Sequence, residues 1–256
     1  MNTVFKYLYR IYQLFVAVPL SLVATIITAL TVAAGCSVGN GHFWGYYPGR
    51  WWSWLVVRLF LIPVTVEGRE NMEPGQSYVF VSNHQGAFDI FLIYGFLGRN
   101  FKWMMKRGIM KIPFVGFACK AAHHIFVDKR SPARIKETYE EARHTLQSGM
   151  SVVVFPEGSR SFTGHMGIFK KGAFTLADEL QLPVVPLTIN GSFDIMPRTR
   201  DWHWVSWHPL RLTIHQPIYP VDKGPRNVQA IMHQSYDSVM SSIESKYQGF
   251  VENPNQ

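Results

Sequence analysis

From Ile11 to Cys36 the chain carries no charge, with Lys6 and Arg10 ahead of the run and Arg50 the next charge beyond it. About 20 apolar residues suffice to cross the hydrocarbon of a bilayer, and a signal-peptide core is shorter than this run. The stretch therefore predicts a helix that meets a membrane, with its N-terminus on the cytoplasmic side because the flanking bases precede it. Ala33-Ala34-Gly35-Cys36 offers a competing reading, since small residues before a cysteine resemble a bacterial lipoprotein cleavage site. The length of the apolar run, and the lack of a leucine three positions before Cys36, favour the uncleaved helix.

A second apolar stretch, Phe43 to Val66, holds Trp44, Trp51, Trp52 and Trp54 but is interrupted by Arg50 and Arg58. Tryptophan favours the membrane interface, and two charges make an interfacial or re-entrant helix a better reading than a second full span. The two stretches together predict a helical hairpin over residues 1–63. The expected location is the cell's inner membrane, with the rest of the chain on the cytoplasmic face.

From Val64 onward the pattern becomes that of an α/β domain, residues 64–256. Segments at Val64–Gly68, Tyr78–Asn83, Lys102–Lys106, His124–Val127, Ser151–Phe155, Val184–Asn190 and Arg211–His215 read as strands, Tyr78–Asn83 as a nearly unbroken apolar run. Helical segments are expected at Phe88–Gly98, Pro132–Gln147, Lys171–Leu180 and Asn227–Tyr247. Alternation of this kind predicts a mostly parallel sheet flanked by helices, with the site at the loops that follow the strands. Two cysteines, Cys36 and Cys119, make no disulfide framework, and no His-Glu-x-x-His or comparable ligand set is present, so no metal is expected.

The net charge of +8 is concentrated. Between Arg99 and Lys136 stand ten Lys/Arg and a single acid, Asp128. Nucleic-acid motifs are lacking, and Trp103, Met104, Met105, Ile112 and Phe114 interleave the bases. The window reads as a membrane-facing or phosphate-binding surface rather than a nucleic-acid site.

Two motifs carry chemistry. Asn83-His84-Gln85-Gly86-Ala87-Phe88-Asp89 lies where a strand gives way to a helix. A turn at Gly86 would bring Asp89, in the first helical turn, back to the His84 imidazole. The carboxylate then holds one ring nitrogen while the other is left to take a proton. A second His-x4-Asp pair, His123 and Asp128, has the same spacing, but on a strand an odd spacing sends its side chains to opposite faces. The second motif is Phe155-Pro156-Glu157-Gly158-Ser159-Arg160-Ser161. Glu157 could accept from substrate hydroxyls, and the planar fork of Arg160 suits phosphate oxygens.

Taken in order, Asn-His-Gln-x-x-x-Asp and Phe-Pro-Glu-Gly-Ser-Arg-Ser resemble the 1-acylglycerol-3-phosphate (lysophosphatidic acid) acyltransferases. Lys106 with Ile112-Pro-Phe-Val-Gly116, Ile125-Phe-Val-Asp-Lys-Arg130, Lys170-Lys-Gly-Ala-Phe174 and Val185-Pro-Leu-Thr-Ile-Asn-Gly191 match as well. The resemblance implies His84 as general base, Asp89 as its partner, and Glu157, Gly158 and Arg160 at the glycerol-phosphate end of the acceptor. Lys106 is implied as a further substrate-binding residue, and the block at Asp128, Lys129 and Arg130 as a phosphate site. The chain departs from the family in having Gly86 for the usual serine, His123 for a glycine, and Lys129 before Arg130 after the aspartate. Either Lys129 or Arg130 is left as the phosphate ligand.

The implied reaction moves an acyl chain from acyl-CoA or acyl carrier protein to lysophosphatidic acid, with no cofactor and with membrane lipids as the surroundings. Backbone N–H groups near Gly158 or the Lys106 side chain are left as oxyanion donors. Glycerol 3-phosphate, another lysophospholipid or an amino-acid lipid are alternative acceptors, and a silent membrane lipid-binding protein is the alternative of another class. The one Gly-x-Ser-x-Gly match, Gly35-Cys36-Ser37-Val38-Gly39, ends the apolar N-terminal run rather than following a strand, so no nucleophile elbow supports a serine nucleophile.

Overall fold

A computed structural model describes residues 3–127, 131–146, 150–199 and 203–249. The apolar N-terminus forms α1 (Thr3–Tyr12), a π-helical turn (Gln13–Ala17) and α2 (Val18–Val38), which run on as one 36-residue helix. It is long and apolar enough to cross a membrane. Ala33 to Cys36 lie inside α2. A short α3 (Gly41–Trp44), capped by the Asn40 side chain, turns the chain into α4 (Tyr47–Leu59). The Trp44 ring closes on Gly35 and Gly39, where any Cβ would stand within 2.7 Å of it. Trp52 Nε1 donates to Thr25 Oγ1 at 2.9 Å, so the second stretch does fold back on the first.

The strands are β1 (Val64–Glu67), β2 (Val79–Ser82), β3 (Phe101–Lys106), β4 (Ile125–Val127), β5 (Ser151–Val154), β6 (Val184–Asn190) and β7 (Leu210–Ile214). They form one sheet in the order β1-β7-β6-β2-β5-β3-β4, and every neighbouring pair is parallel except β6–β7. β7 and β1 thus run against the other five. The central strands are buried on both faces, which is why they read as unbroken apolar runs.

Strand alternation divides the core. Phe80, Val153, Val185 and Leu187 face a layer holding α4 and α5 (Phe88–Phe96), while Val79, Val81, Val152 and Val154 face another. That second layer is built from α7 (Pro132–Leu146), α8 (Gly172–Leu180) and α10 (Pro225–Ser241). Val56, Val57, Phe60 and Ile62 belong to the same buried cluster as the sheet residues, so the N-terminal helices share their core with the α/β domain. α4 and α5 approach closely because Gly95 meets the Trp54 backbone and Gly49 meets the Tyr94 ring.

Boundaries moved where capping overrode pattern. The helix expected to end at Gly98 ends at Phe96, and Gly98 takes a left-handed φ of +81°. The C-terminal helix starts at Pro225, stops at Ser241 and is followed by a separate 3-10 turn, Ser245–Tyr247. The fourth strand begins at Ile125, one residue late. His123 precedes it, exposed, with φ +54°. That left-handed position accounts for the glycine which the resembling family carries there. Asp128 lies outside the described residues. The remaining helices are α6 (Val115–Ala121), after β3, and α9 (Ser192–Ile195), after β6.

Candidate active site

The site is assembled at the carboxyl ends of β2 and β5, which are neighbours in the sheet. Asn83, just beyond β2, extends the ladder with its side chain. Its Nδ2 donates to the Ile189 carbonyl at 2.9 Å and its Oδ1 accepts from Ile189 N at 2.8 Å. The chain then turns through Gln85 and Gly86 into α5, and Asp89 comes back to His84 as the spacing predicts. His84 Nδ1 and Asp89 Oδ2 are 2.6 Å apart. The same Oδ2 accepts from the backbone N–H groups of Gln85 at 2.7 Å and Gly86 at 3.0 Å. Asp89 is fully buried, whereas the His84 side chain remains 14% exposed. Nε2 of His84 has no hydrogen-bond partner among the described residues, so the nitrogen that faces outward is the one able to take a proton.

The second motif grips this histidine from three sides. Phe155 lies flat against the imidazole, ring centroids 3.9 Å apart, and Trp103 of β3 stacks on Phe155 in turn, 5.7 Å between centroids. Ser161 N donates to the His84 carbonyl at 2.9 Å. The Glu157 carboxylate accepts from His84 N at 2.7 Å through one oxygen and from Gly167 N at 2.8 Å through the other. Glu157 is 1% exposed. Burial pushes its carboxyl up to about 8, against the downward pull of the two backbone N–H groups. Expected to reach substrate hydroxyls, this side chain instead spends both oxygens on the backbone.

Gly158 has φ +78°, which a turn of this shape reserves for glycine, and its N–H is taken by the Phe155 carbonyl at 3.0 Å. It is therefore not a free oxyanion donor. Arg160 is half-buried, and its guanidinium makes no hydrogen bond with any described residue. Lys106 ends β3, two strands from β2, exposed on the same edge of the sheet. Lys129 and Arg130 lie outside the described residues.

Three site residues escaped the sequence reading. Arg198 stacks on Phe162 at 4.1 Å and donates through Nη1 to the Arg160 carbonyl at 3.0 Å, bracing that loop. Lys170 donates through Nζ to the Glu157 carbonyl at 2.9 Å. Ser192 stands where a side chain at position 86 would project, its carbonyl 2.4 Å and its hydroxyl 2.5 Å from a Cβ built on Gly86. That contact leaves no room for a side chain at position 86 of this chain, where the resembling family usually has serine. Gly86→Ala must displace the Ser192 backbone, so a loss of about 1–3 kcal/mol in thermal or denaturant unfolding is expected, with reduced activity. Only Lys170 had any signal, as part of a matching Lys-Lys-Gly run. His123, exposed just before β4, is expected to keep most activity as alanine when acyl transfer is measured.

A histidine oriented by a buried carboxylate, with its outer nitrogen open, can act as a general base toward a hydroxyl. Comparison with known proteins agrees with this chemistry. The chain is similar to the chloroplastic 1-acyl-sn-glycerol-3-phosphate acyltransferase of Arabidopsis thaliana, 35% identical over 168 residues that cover 65% of this chain and 47% of the relative. The alpha form of the same enzyme from Mus musculus is 32% identical over 186 residues, 72% of this chain and 64% of the relative. The chain thus spans about half the length of the curated relatives it matches. The crystal structure of a 1-acyl-sn-glycerophosphate acyltransferase from Thermotoga maritima shares the fold, with a TM-score of 0.73 over 94% of this chain and 97% of that one, at 24% identity. A family model described as Acyltransferase matches residues 63–190, half of the chain. The chain belongs to the acyltransferase family.

Proposed function

We propose that this protein transfers an acyl chain from a thioester, acyl-CoA or acyl carrier protein, to the sn-2 hydroxyl of 1-acylglycerol 3-phosphate, giving phosphatidic acid. The observation that carries the reading is the 2.6 Å contact between His84 Nδ1 and the buried Asp89, which leaves Nε2 open. Names of the relatives supply the acceptor. Nε2 takes the proton as the hydroxyl oxygen attacks the thioester carbonyl. The C–O bond forms, the C–S bond breaks, and the proton passes from the imidazolium to the departing thiolate. No acyl-enzyme intermediate is needed, and Asp89 stabilises the imidazolium while it lasts.

Arg160 is the phosphate ligand in this reading, because its fork is free and sits on the loop that holds His84. Losing a hydrogen bond to a charged group is worth about 1.5–3 kcal/mol. Arg160→Ala is therefore expected to raise KM for lysophosphatidic acid roughly 10–100-fold, with a smaller change in kcat. Membrane association through α1 and α2 belongs to the same proposal, with the acceptor drawn from the bilayer.

The deciding experiment is transfer of a radiolabelled acyl chain from each donor to lysophosphatidic acid, with glycerol 3-phosphate as rival acceptor. Labelled phosphatidic acid from the wild type but not from His84→Ala supports the reading, and the faster donor identifies the carrier. Product from glycerol 3-phosphate alone would change the acceptor. No product from any pair would overturn the proposal.

A further inference from the structure

The basic window singled out in the sequence does not act as one surface. Lys102 points inward, 2% exposed, with Nζ on the Ala122 carbonyl at 2.7 Å, and Arg99 is held by the Glu73 carbonyl. Directly after β3 stands an outward-facing compact unit, the 3-10 turn Arg107–Lys111 followed by α6. It presents Ile112, Phe114 and Phe117 to solvent, 49%, 52% and 64% exposed. Lys111 and Lys120 flank them, and no Asp or Glu occurs between Arg99 and Val127.

We infer that this turn and α6 form a second membrane-contacting element, separate from the N-terminal helix, that seats Ile112, Phe114 and Phe117 in the bilayer interface. Three observations carry it. Apolar side chains at an exposed tip with bases around them match an interfacial element, bases at headgroup level and apolar groups below. α6 packs on α2, whose Leu22, Val23, Ile27 and Leu30 are exposed, so the patch adjoins the apolar face of the long helix. Phe114 holds φ +61°, a backbone conformation that bulky residues rarely adopt, and it is spent on presenting an aromatic ring to solvent. Against an acidic carrier protein, Lys111 and Lys120 alone would serve, and the three protruding apolar side chains would have no comparable role. The unit leaves β3 at the same edge of the sheet as His84, so it would set the active site at the level where a lysophospholipid headgroup lies.

The inference rests on the reading of α1 and α2 as membrane-associated, and the test separates the two. The full chain, with Cys36→Ala and Cys119→Ala, receives a single environment-sensitive fluorophore at Phe117→Cys, Ile27→Cys or Glu137→Cys. Each is reconstituted in phosphatidylethanolamine and phosphatidylglycerol vesicles carrying a nitroxide on the acyl chain. Quenching at 27 and 117 but not at 137 is the expected result. Quenching at 27 alone overturns the second contact and leaves the anchor. Quenching at neither overturns both. A probe at 117 that ignores lipid but responds to added acyl carrier protein overturns the inference in favour of a protein partner. Independently, Phe114→Ser with Phe117→Ser is expected to lower kcat/KM about tenfold on vesicle-borne lysophosphatidic acid, and to leave it unchanged on a short-chain, freely dissolved one. Equal losses on both substrates would overturn it.

Discussion

Replacing His84 by alanine is expected to lower kcat by roughly 10²–10⁴-fold, the range that a positioned general base supplies. The fold should survive, because the groups that hold this segment are the Asn83 side chain and the backbone of residues 84 to 86. Asp89→Asn is expected to fall in the same range for a different reason. The carboxylate oxygen gathers one imidazole nitrogen and two backbone N–H groups, and a neutral amide answers three donors poorly. Rate measurements on purified protein in detergent, beside an unfolding curve, check both. Activity retained in His84→Ala would remove the base from the mechanism.

Glu157→Gln is the second large expectation, and it divides two readings of the same residue. As a substrate ligand, Glu157 would act on KM. The geometry makes it a positioning residue instead, since its two oxygens tie His84 N to Gly167 N and it is almost wholly buried. Glutamine keeps one acceptor and turns an NH2 group toward the other N–H. Displacing a reacting group by about 1 Å costs on the order of 10²-fold. A fall of that size in kcat, with KM for lysophosphatidic acid little changed, is therefore expected. The opposite split would return Glu157 to the substrate.

The pH dependence of stability supplies a further readout. The folded-state pKa is raised from 4.5 to about 8 by burial, so the contribution of Glu157 to stability is fully present below about 4.5. It declines as pH rises through about 8, because the unfolded chain carries the charge more easily. Melting temperatures measured from pH 5 to 9 should show this slope in the wild type and lack it in Glu157→Gln.

Strands that are buried on both faces announce themselves as unbroken apolar runs, and the central strands β2, β5 and β6 were legible for that reason. The His84–Asp89 pair was legible too, because both members sit within one turn of chain and local geometry leaves few ways to arrange them. The long uncharged N-terminal run likewise determined a helix that must be covered by something apolar. Tertiary structure alone decided the rest. It turned Glu157 from an apparent ligand into a brace, placed Arg198, Lys170 and Ser192 at the site, and buried Lys102 inside a window that looks uniformly basic. Each of these depends on groups brought together from distant strands and loops. A residue type states which bonds a side chain can make, but only the fold states which of them are already taken.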